Sequence, residues 1–380
     1  VSILRGKPYV AGEVPTTLRA FIDKENKVKP SGQLLDFLER TPLPWLRYDT
    51  EKQKLIMVVD NHLMSTYRAC PQHFMLSHVY GWKRKSDKLI DGVERNWFLD
   101  FGILLHKMLE IYYQNFKNPD FDVQTWAVNR TINEWSEMQM DVHSEHKEYK
   151  AMGGSAGLVG LLIQYATYMS PLNEKLRVLG TEVSFGKNLE VKLGIVVEPY
   201  CEVYLAGRMD MIVDDGYFIC PLDHKTMGTF RGDPGLRFET DEGPTGYIYA
   251  LKTVLPSLLP EDEILKRDCT KILMNLISKA ATSNPTERFK RIPIRKTEWQ
   301  LEQYRWRMIN TATKLLADVN VVANELAVDR NTQVCQNWMH LNCQYLDICR
   351  QQSHDAELST LKNGFVQVRL WDTEEVAPTT

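Results

Sequence analysis

The chain has 380 residues, 43% of them hydrophobic, and a formal charge of −3. That is enough apolar material for a large core, in one enlarged α/β domain or in two or three domains. The charge gives no global sign of a nucleic-acid binder, although a local basic groove suffices for one. No run of 18 apolar residues appears, so no transmembrane span is expected. Val1-Ser2-Ile3-Leu4-Arg5 does not read as a secretory signal. A cytoplasmic protein is the default expectation, which argues against structural disulfides for the seven cysteines.

In chain order, residues 1–57 read as an N-terminal extension broken by Pro15, Pro30, Pro42 and Pro44, with one short helix over 31–40. Residues 58–325 read as the core with helical insertions. Residues 326–380 read as a cysteine-bearing region and tail. Helices are predicted from Asn61 or Ser65 through Cys70, and over 93–116, 121–138 and 158–168. In the second of these Phe98, Phe101, Leu105, Met108, Leu109 and Tyr112 follow the helical period. Residues 151–158 are small and read as a flexible link. Strands are predicted from 178, over 181–185, and over 193–197, 202–213 and 216–223. Residues 229–246 read as a loop, 246–255 and 266–276 as helices or buried segments, 289–295 as an edge strand and 298–326 as a long helix. Helices, then a strand meander, then helices imply an α/β core with a mixed sheet.

One hairpin carries the chemistry. Gly207-Arg208-Met209-Asp210 and Asp223-His224-Lys225 flank the turn signal Asp214-Asp215-Gly216. Strand alternation puts Asp223 and Lys225 on one face and His224 on the other. A turn near Asp215 sets Asp210 beside Ile219 or Cys220, so twist or a bulge is needed to bring it to Asp223. Two carboxylates suit a hard divalent cation such as magnesium or manganese, and the lysine suits a phosphate under attack. The pattern points to a metal-dependent nuclease. An ordinary hairpin with a polar end is the plain alternative.

Cys335, Cys343 and Cys349 follow the spacing C-x7-C-x5-C. Three cysteines so close together in an intracellular protein suggest a soft metal site. Cys70 is the best fourth ligand, with His340 its rival if the metal is zinc. Cys201, Cys220 and Cys269 sit in apolar patterns and read as core thiols.

Together these motifs resemble the RecB-like branch of the PD-(D/E)XK nuclease superfamily, most closely its iron–sulfur members related to AddB. Leu63-Met64-Ser65-Thr66-Tyr67-Arg68-Ala69-Cys70-Pro71-Gln72-His73-Phe74 is similar to the family's opening helix. Gly102-Ile103-Leu104-Leu105-His106-Lys107-Met108-Leu109-Glu110 is similar to its histidine motif. Gly207 to Asp210 and Asp223-His224-Lys225-Thr226 are similar to its metal carboxylate and catalytic triplet. The resemblance implies a restriction-endonuclease-like α/β core with a mixed central sheet flanked by helices, plus a C-terminal iron–sulfur region. It implies that His106, Asp210, Asp223 and the backbone carbonyl of His224 hold Mg2+ or Mn2+, while Lys225 positions water. It further implies that Cys70, Cys335, Cys343 and Cys349 hold a [4Fe-4S] cluster, and that Glu182 is an accessory acid. Thr245 stands where the family usually has a glutamine; Tyr249 keeps the following tyrosine and, by resemblance, its nucleic-acid-facing role.

The implied activity is a DNA exonuclease on single strands or duplex ends, in recombination, repair or viral DNA processing. A bacterial, archaeal or virus-infected cell is the expected setting. No helicase phosphate loop is present, so the reading is either a stand-alone nuclease or a subunit that works beside a helicase, recombinase or other DNA-processing protein. The alternatives are a non-catalytic DNA-binding or assembly module and a zinc-stapled enzyme or scaffold without iron. Candidate DNA contacts are Lys83, Arg84 and Lys85, next to Trp82; Lys290 and Arg291, within the basic run 288–296; and Tyr304-Arg305-Trp306-Arg307.

Overall fold

The computed structural model describes residues 30–370 except 86–88, 91–92, 95, 187–189, 198–200, 231, 265–266, 281–283, 324–327, 332–334, 336–342 and 352. His340 therefore lies outside the described residues. The described parts of segments 1–84, 192–204 and 306–373 make one compact unit; those of 85–191 and 205–305 make a second.

In the first unit, α1 (Gly32–Arg40) starts at Ser31, whose side chain accepts from Leu34 N–H, an N-cap of ordinary kind. Strands β1 (Leu46–Asp49) and β2 (Lys54–Val59) follow, so part of the expected N-terminal extension is sheet. Then come α2 (Asn61–Ala69), α3 (Pro71–Phe74) and β3 (Trp82–Arg84). Cys70 sits between the two helices, with Pro71 at the first helical position where its missing N–H costs nothing.

The second unit opens with the short pair β4 (Leu89–Ile90) and β5 (Val93–Glu94). Helices α4 (Trp97–Asn115), α5 (Val123–Glu137), α6 (Lys147–Met152) and α7 (Gly154–Asn173) come next. The flexible link expected over 151–158 is thus corrected. Gly153, at φ 84°, ends α6 in the left-handed region that glycine adopts without strain, and α7 starts at once.

Strand β6 (Arg177–Phe185) enters the main sheet. In the first unit, β7 (Lys192–Val197) pairs with β8 (Cys201–Leu205), completing a four-stranded sheet of order β1-β2-β8-β7. The single strand expected over 202–213 is in fact two: β9 (Gly207–Asp214) lies in a different sheet from β8.

In the second unit, β10 (Ile219–Met227) is followed by α8 (Pro234–Thr240), α9 (Glu242–Leu258), α10 (Glu261–Ile264), β11 (Lys271–Ser278), α11 (Pro285–Arg288) and β12 (Phe289–Arg295). The loop expected over 229–246 is corrected to helix. Asp233 caps α8 ahead of Pro234, and Asp241 caps α9. Topology explains why: β10 and β11 run parallel, and a parallel pair needs a long crossover, usually helical. The main sheet is mixed, of order β12-β11-β10-β9-β6, with β12 at its edge as expected. Leu222, Leu273 and Ile277 pack on α4 and α7 through Phe101, Leu105 and Leu161. Ile272, Met274 and Leu276 pack on Ile248 of α9.

Helix α12 (Glu298–Ala323) follows; the chain then continues in the first unit with α13 (Leu346–Cys349), α14 (His354–Gly364) and β13 (Phe365–Gln367), which pairs with β3. Among the described residues no helix is long and apolar enough to cross a membrane.

Candidate metal and nucleic-acid site

The hairpin register brings the two carboxylates together. Pairing runs from Ile219↔Asp214 to Leu222↔Met211, so the next positions outward are Asp223 and Asp210. The expected pairing of Asp210 with Ile219 or Cys220 is corrected, and neither twist nor bulge is required. The connection is longer than the Asp214-Asp215-Gly216 turn. Asp215 Oδ1 accepts from the backbone N–H of Tyr217 and Phe218, and Phe218 C=O accepts from Asp215 N–H at 3.1 Å.

Both carboxylates are buried. Asp210 Oδ2 accepts from the backbone N–H of His224 at 2.7 Å, and its Oδ1 lies 3.3 Å from His106 Nδ1. Asp223 lies 3.0 Å (Oδ1) and 2.9 Å (Oδ2) from Lys225 Nζ. The hydrogen bond goes to Oδ1, which leaves Oδ2 a buried oxygen without one. His106 reaches the pair because α4 passes over β10: a Cβ at Gly102 would stand 3.7 Å from Thr226 Oγ1.

Burial and charge set the protonation here. Burial works against ionisation of Asp210, but the charge and hydrogen bond of His106 outweigh it and hold this carboxyl below the usual range. Burial, with Asp210 nearby, pushes Asp223 up despite Lys225. Burial would lower Lys225, but Asp223 outweighs it and raises this lysine, so it stays a cation. Burial likewise opposes charge on His106, and Asp210 overrides it. Glu182 bonds Arg208 Nε at 2.6 Å and is pushed up to about 7 by burial, with Asp210 and Glu110 adding to the effect. Its backbone, at φ 50°, is strained for a side chain of this kind. Tyr247 is close enough to influence Lys225; the nucleic-acid-facing role was expected of Tyr249. Tyr249 instead packs among Ile248 and its neighbours, with its ring 6.1 Å from Tyr304.

Among the described residues, no three His, Cys, Asp or Glu side chains stand ready to hold one metal ion. At the carboxylates, His106 and Lys225 supply the positive charge. Asp223 Oδ2 is buried 2.9 Å from the Lys225 ammonium, and with Asp210 it offers the carboxylate oxygens that a hard divalent cation prefers.

In the first unit, Cys70, Cys335, Cys343 and Cys349 line a cavity of about 240 Å³ together with His73, Arg330 and Tyr345. Backbone bonds gather them: Cys343 N–H donates to Cys335 C=O at 2.8 Å, and Gln72 N–H donates to Asp329 C=O at 3.2 Å. Cys343 Sγ is 3.7 Å from His73 Nδ1. Cys201 and Cys220 are fully buried, and Cys269 is buried too, as expected of core thiols.

The basic candidates separate. Arg84 pairs with Asp347 at 3.1 Å, and Lys83 stands opposite Val366 on β3. Lys85 is exposed. Lys290 lies over the Phe230 ring at 5.0 Å. Arg291, next along β12, turns inward to Tyr113, Asn173 and Asn275. Arg307 lines a groove of about 580 Å³ with Arg68, Asn310 and Lys314.

A family model described as the PD-(D/E)XK nuclease superfamily matches residues 63–350. No curated protein matches the chain. The crystal structure of SSO0001 is similar at 16% identity over 60% of this chain and 87% of that one, with a TM-score of 0.23, too low to inform the fold.

Proposed function

The chain belongs to the PD-(D/E)XK nuclease superfamily, and on that basis we propose that it is a divalent-metal-dependent deoxyribonuclease of the RecB-like, iron–sulfur kind, acting as an exonuclease on single-stranded DNA or duplex ends. The observation that carries this reading is the meeting of two buried carboxylates, Asp210 and Asp223, with the partly exposed His106 and Lys225.

Asp210, Asp223, His106 and the His224 carbonyl are the groups that would hold Mg2+ or Mn2+. Bound there, the cation supplies Lewis acidity toward the phosphate and lowers the pKa of water. The protein's own part is positional and electrostatic. Asp223 favours the charged form of Lys225, which suits this residue to orienting water and offsetting phosphate charge. The His224 N–H holds Asp210 in place. Glu182, with its raised pKa, stands beside the same carboxylates as an accessory acid.

The four cysteines that line one cavity are the residues that would hold a metal centre, an iron–sulfur cluster on the family resemblance, with zinc as the alternative that metal analysis separates from it. Lys83, Arg84, Lys85, Lys290 and the Arg307 groove are the proposed contacts to DNA phosphate.

The test is cleavage of end-labelled single- and double-stranded DNA with Mg2+ or Mn2+ against EDTA. Metal-dependent release of nucleotides from ends is expected. Binding without cleavage under every metal condition would favour a non-catalytic module instead.

A further inference from the structure

A ladder of buried polar side chains runs across three neighbouring strands behind the carboxylates. His224 stands opposite Asn275, and Asn275 opposite Arg291. Asn275 lies inside the otherwise apolar strand Lys271–Ser278 and has no exposed surface. Its Nδ2 donates to His224 Nδ1 at 2.8 Å and to the Tyr165 hydroxyl at 2.7 Å. Its Oδ1 accepts from Arg291 Nη2 at 3.3 Å. The same Nη2 lies 2.8 Å from both the Tyr113 hydroxyl and Asn173 Oδ1. The amide is thus fixed at both ends, and the His224 ring is held at Nδ1 and stacked on Tyr113, with centroids 5.6 Å apart.

We propose that Asn275 and Arg291 are positioning residues for the carboxylate site, acting through His224. The His224 ring stands edge-to-face with the His106 ring, centroids 5.7 Å apart, and the His224 backbone N–H is the donor that orients Asp210 Oδ2 at 2.7 Å. Its backbone C=O leaves the same residue and, on the nuclease reading on which this inference rests, is a cation ligand. Clamping the ring fixes the main chain between donor and ligand. An apolar trio at these three positions would fill the core without the cost of burying amide and guanidinium groups. Arg291 even leaves Nε and Nη1 buried without hydrogen bonds. A network that costs this much in an otherwise apolar layer is best accounted for by the geometry it imposes. Groups that orient metal ligands in this way typically govern affinity by about tenfold to a hundredfold.

The test is Mn2+ binding to the full chain without DNA, followed by the spectroscopic signal of free Mn2+, alongside the Mn2+ dependence of cleavage. Asn275→Leu is expected to raise the Mn2+ Kd about tenfold or more and to raise the Mn2+ needed for half-maximal cleavage by the same factor, with KM for DNA unchanged. His224→Phe keeps the backbone groups and the stack but cannot accept from Asn275. It should do the same, and it carries the test if Asn275→Leu does not fold. Tyr165→Phe removes a partner of Asn275 without touching His224. It should lower the melting temperature while leaving Kd within about twofold. Kd unchanged in His224→Phe, or weakened equally in Tyr165→Phe, overturns the ladder as a positioning device. A wild-type chain that binds no Mn2+ at all overturns the nuclease reading together with it.

Discussion

Asp210 and Asp223 occupy facing positions at the open end of the β9–β10 pair, one step beyond Met211↔Leu222. Each has its own cationic neighbour: His106 for Asp210 and Lys225 for Asp223. Two buried carboxylates this close repel unless positive charge lies between or beside them. His106 and Lys225 offset that repulsion here, and on the proposed reading a bound cation would add to it.

The first prediction follows. Asp210→Ala and Asp223→Ala each reduce cleavage of end-labelled DNA at least about a hundredfold, the scale of losing a main stabiliser of transition-state charge. DNA binding in EDTA, measured by fluorescence anisotropy, stays within about threefold of wild type. Lys225→Ala loses cleavage comparably but still binds Mn2+. Full cleavage by purified Asp223→Ala protein would remove the assignment.

The site's residue types were readable in the sequence because the chemistry demands them: carboxylates for a hard cation, a lysine beside them and a histidine on a helix. Their register was not. Asp215 accepts from two backbone N–H groups and draws the connection out through Phe218, a contact that the Asp-Asp-Gly signal does not reveal. The strand Lys271–Ser278 was ambiguous because a buried parallel strand carries no alternation to separate it from a buried helix. Asn275, a lone amide in that apolar run, was the available sign that something behind the site needs a hydrogen bond. Arg291 looked like part of a basic surface because sequence cannot tell which side of an edge strand faces inward. The grouping of Cys70 with three cysteines far along the chain rested on the need for a fourth ligand and on resemblance, since no local pattern links them.

The second prediction separates neighbours on β12. Lys290→Glu weakens binding to single-stranded DNA and lowers the slope of log K against log salt by about one, as expected for one lost phosphate contact plus repulsion. Arg291→Met, whose wild-type side chain turns inward, leaves DNA affinity in EDTA within about twofold. Anisotropy titrations across a salt series check both. Equal losses in the two variants would mean that the inward and outward assignments do not govern DNA contact.

The third concerns acid stability. Glu202 on β8 accepts from Lys192 at 2.8 Å, from Tyr204 at 2.9 Å and from Lys54 at 3.2 Å. Lys192 leads in holding its carboxyl at about 2, against an ordinary value of 4.5. A folded pKa below the unfolded one means that the stabilisation is present in full above about pH 4.5 and is lost as pH falls toward about 2. The amount is on the order of 2 kcal/mol after screening. Thermal melts of Glu202→Gln should show a smaller fall in Tm between pH 5 and pH 2 than wild type. Parallel curves for the two proteins would show that Glu202 contributes no such linkage.

The fourth concerns the cysteine cavity. Protein prepared without oxygen should carry about four iron atoms per chain, the content of a single [4Fe-4S] cluster on four thiolates. Cys70→Ala should abolish the cluster's absorbance as completely as Cys343→Ala, although the two residues lie far apart in sequence, because both thiols face the same cavity. Cys201, Cys220 and Cys269 are buried thiols and are not among the residues that line that cavity. Substituting them should leave the iron in place. Loss of the cluster should also lower the melting temperature, since it ties the chain near α2 to the chain near α13 and its binding free energy adds to that of folding. Four irons retained after Cys70→Ala would exclude that residue as a ligand, and stoichiometric zinc without iron would replace the cluster with a different centre.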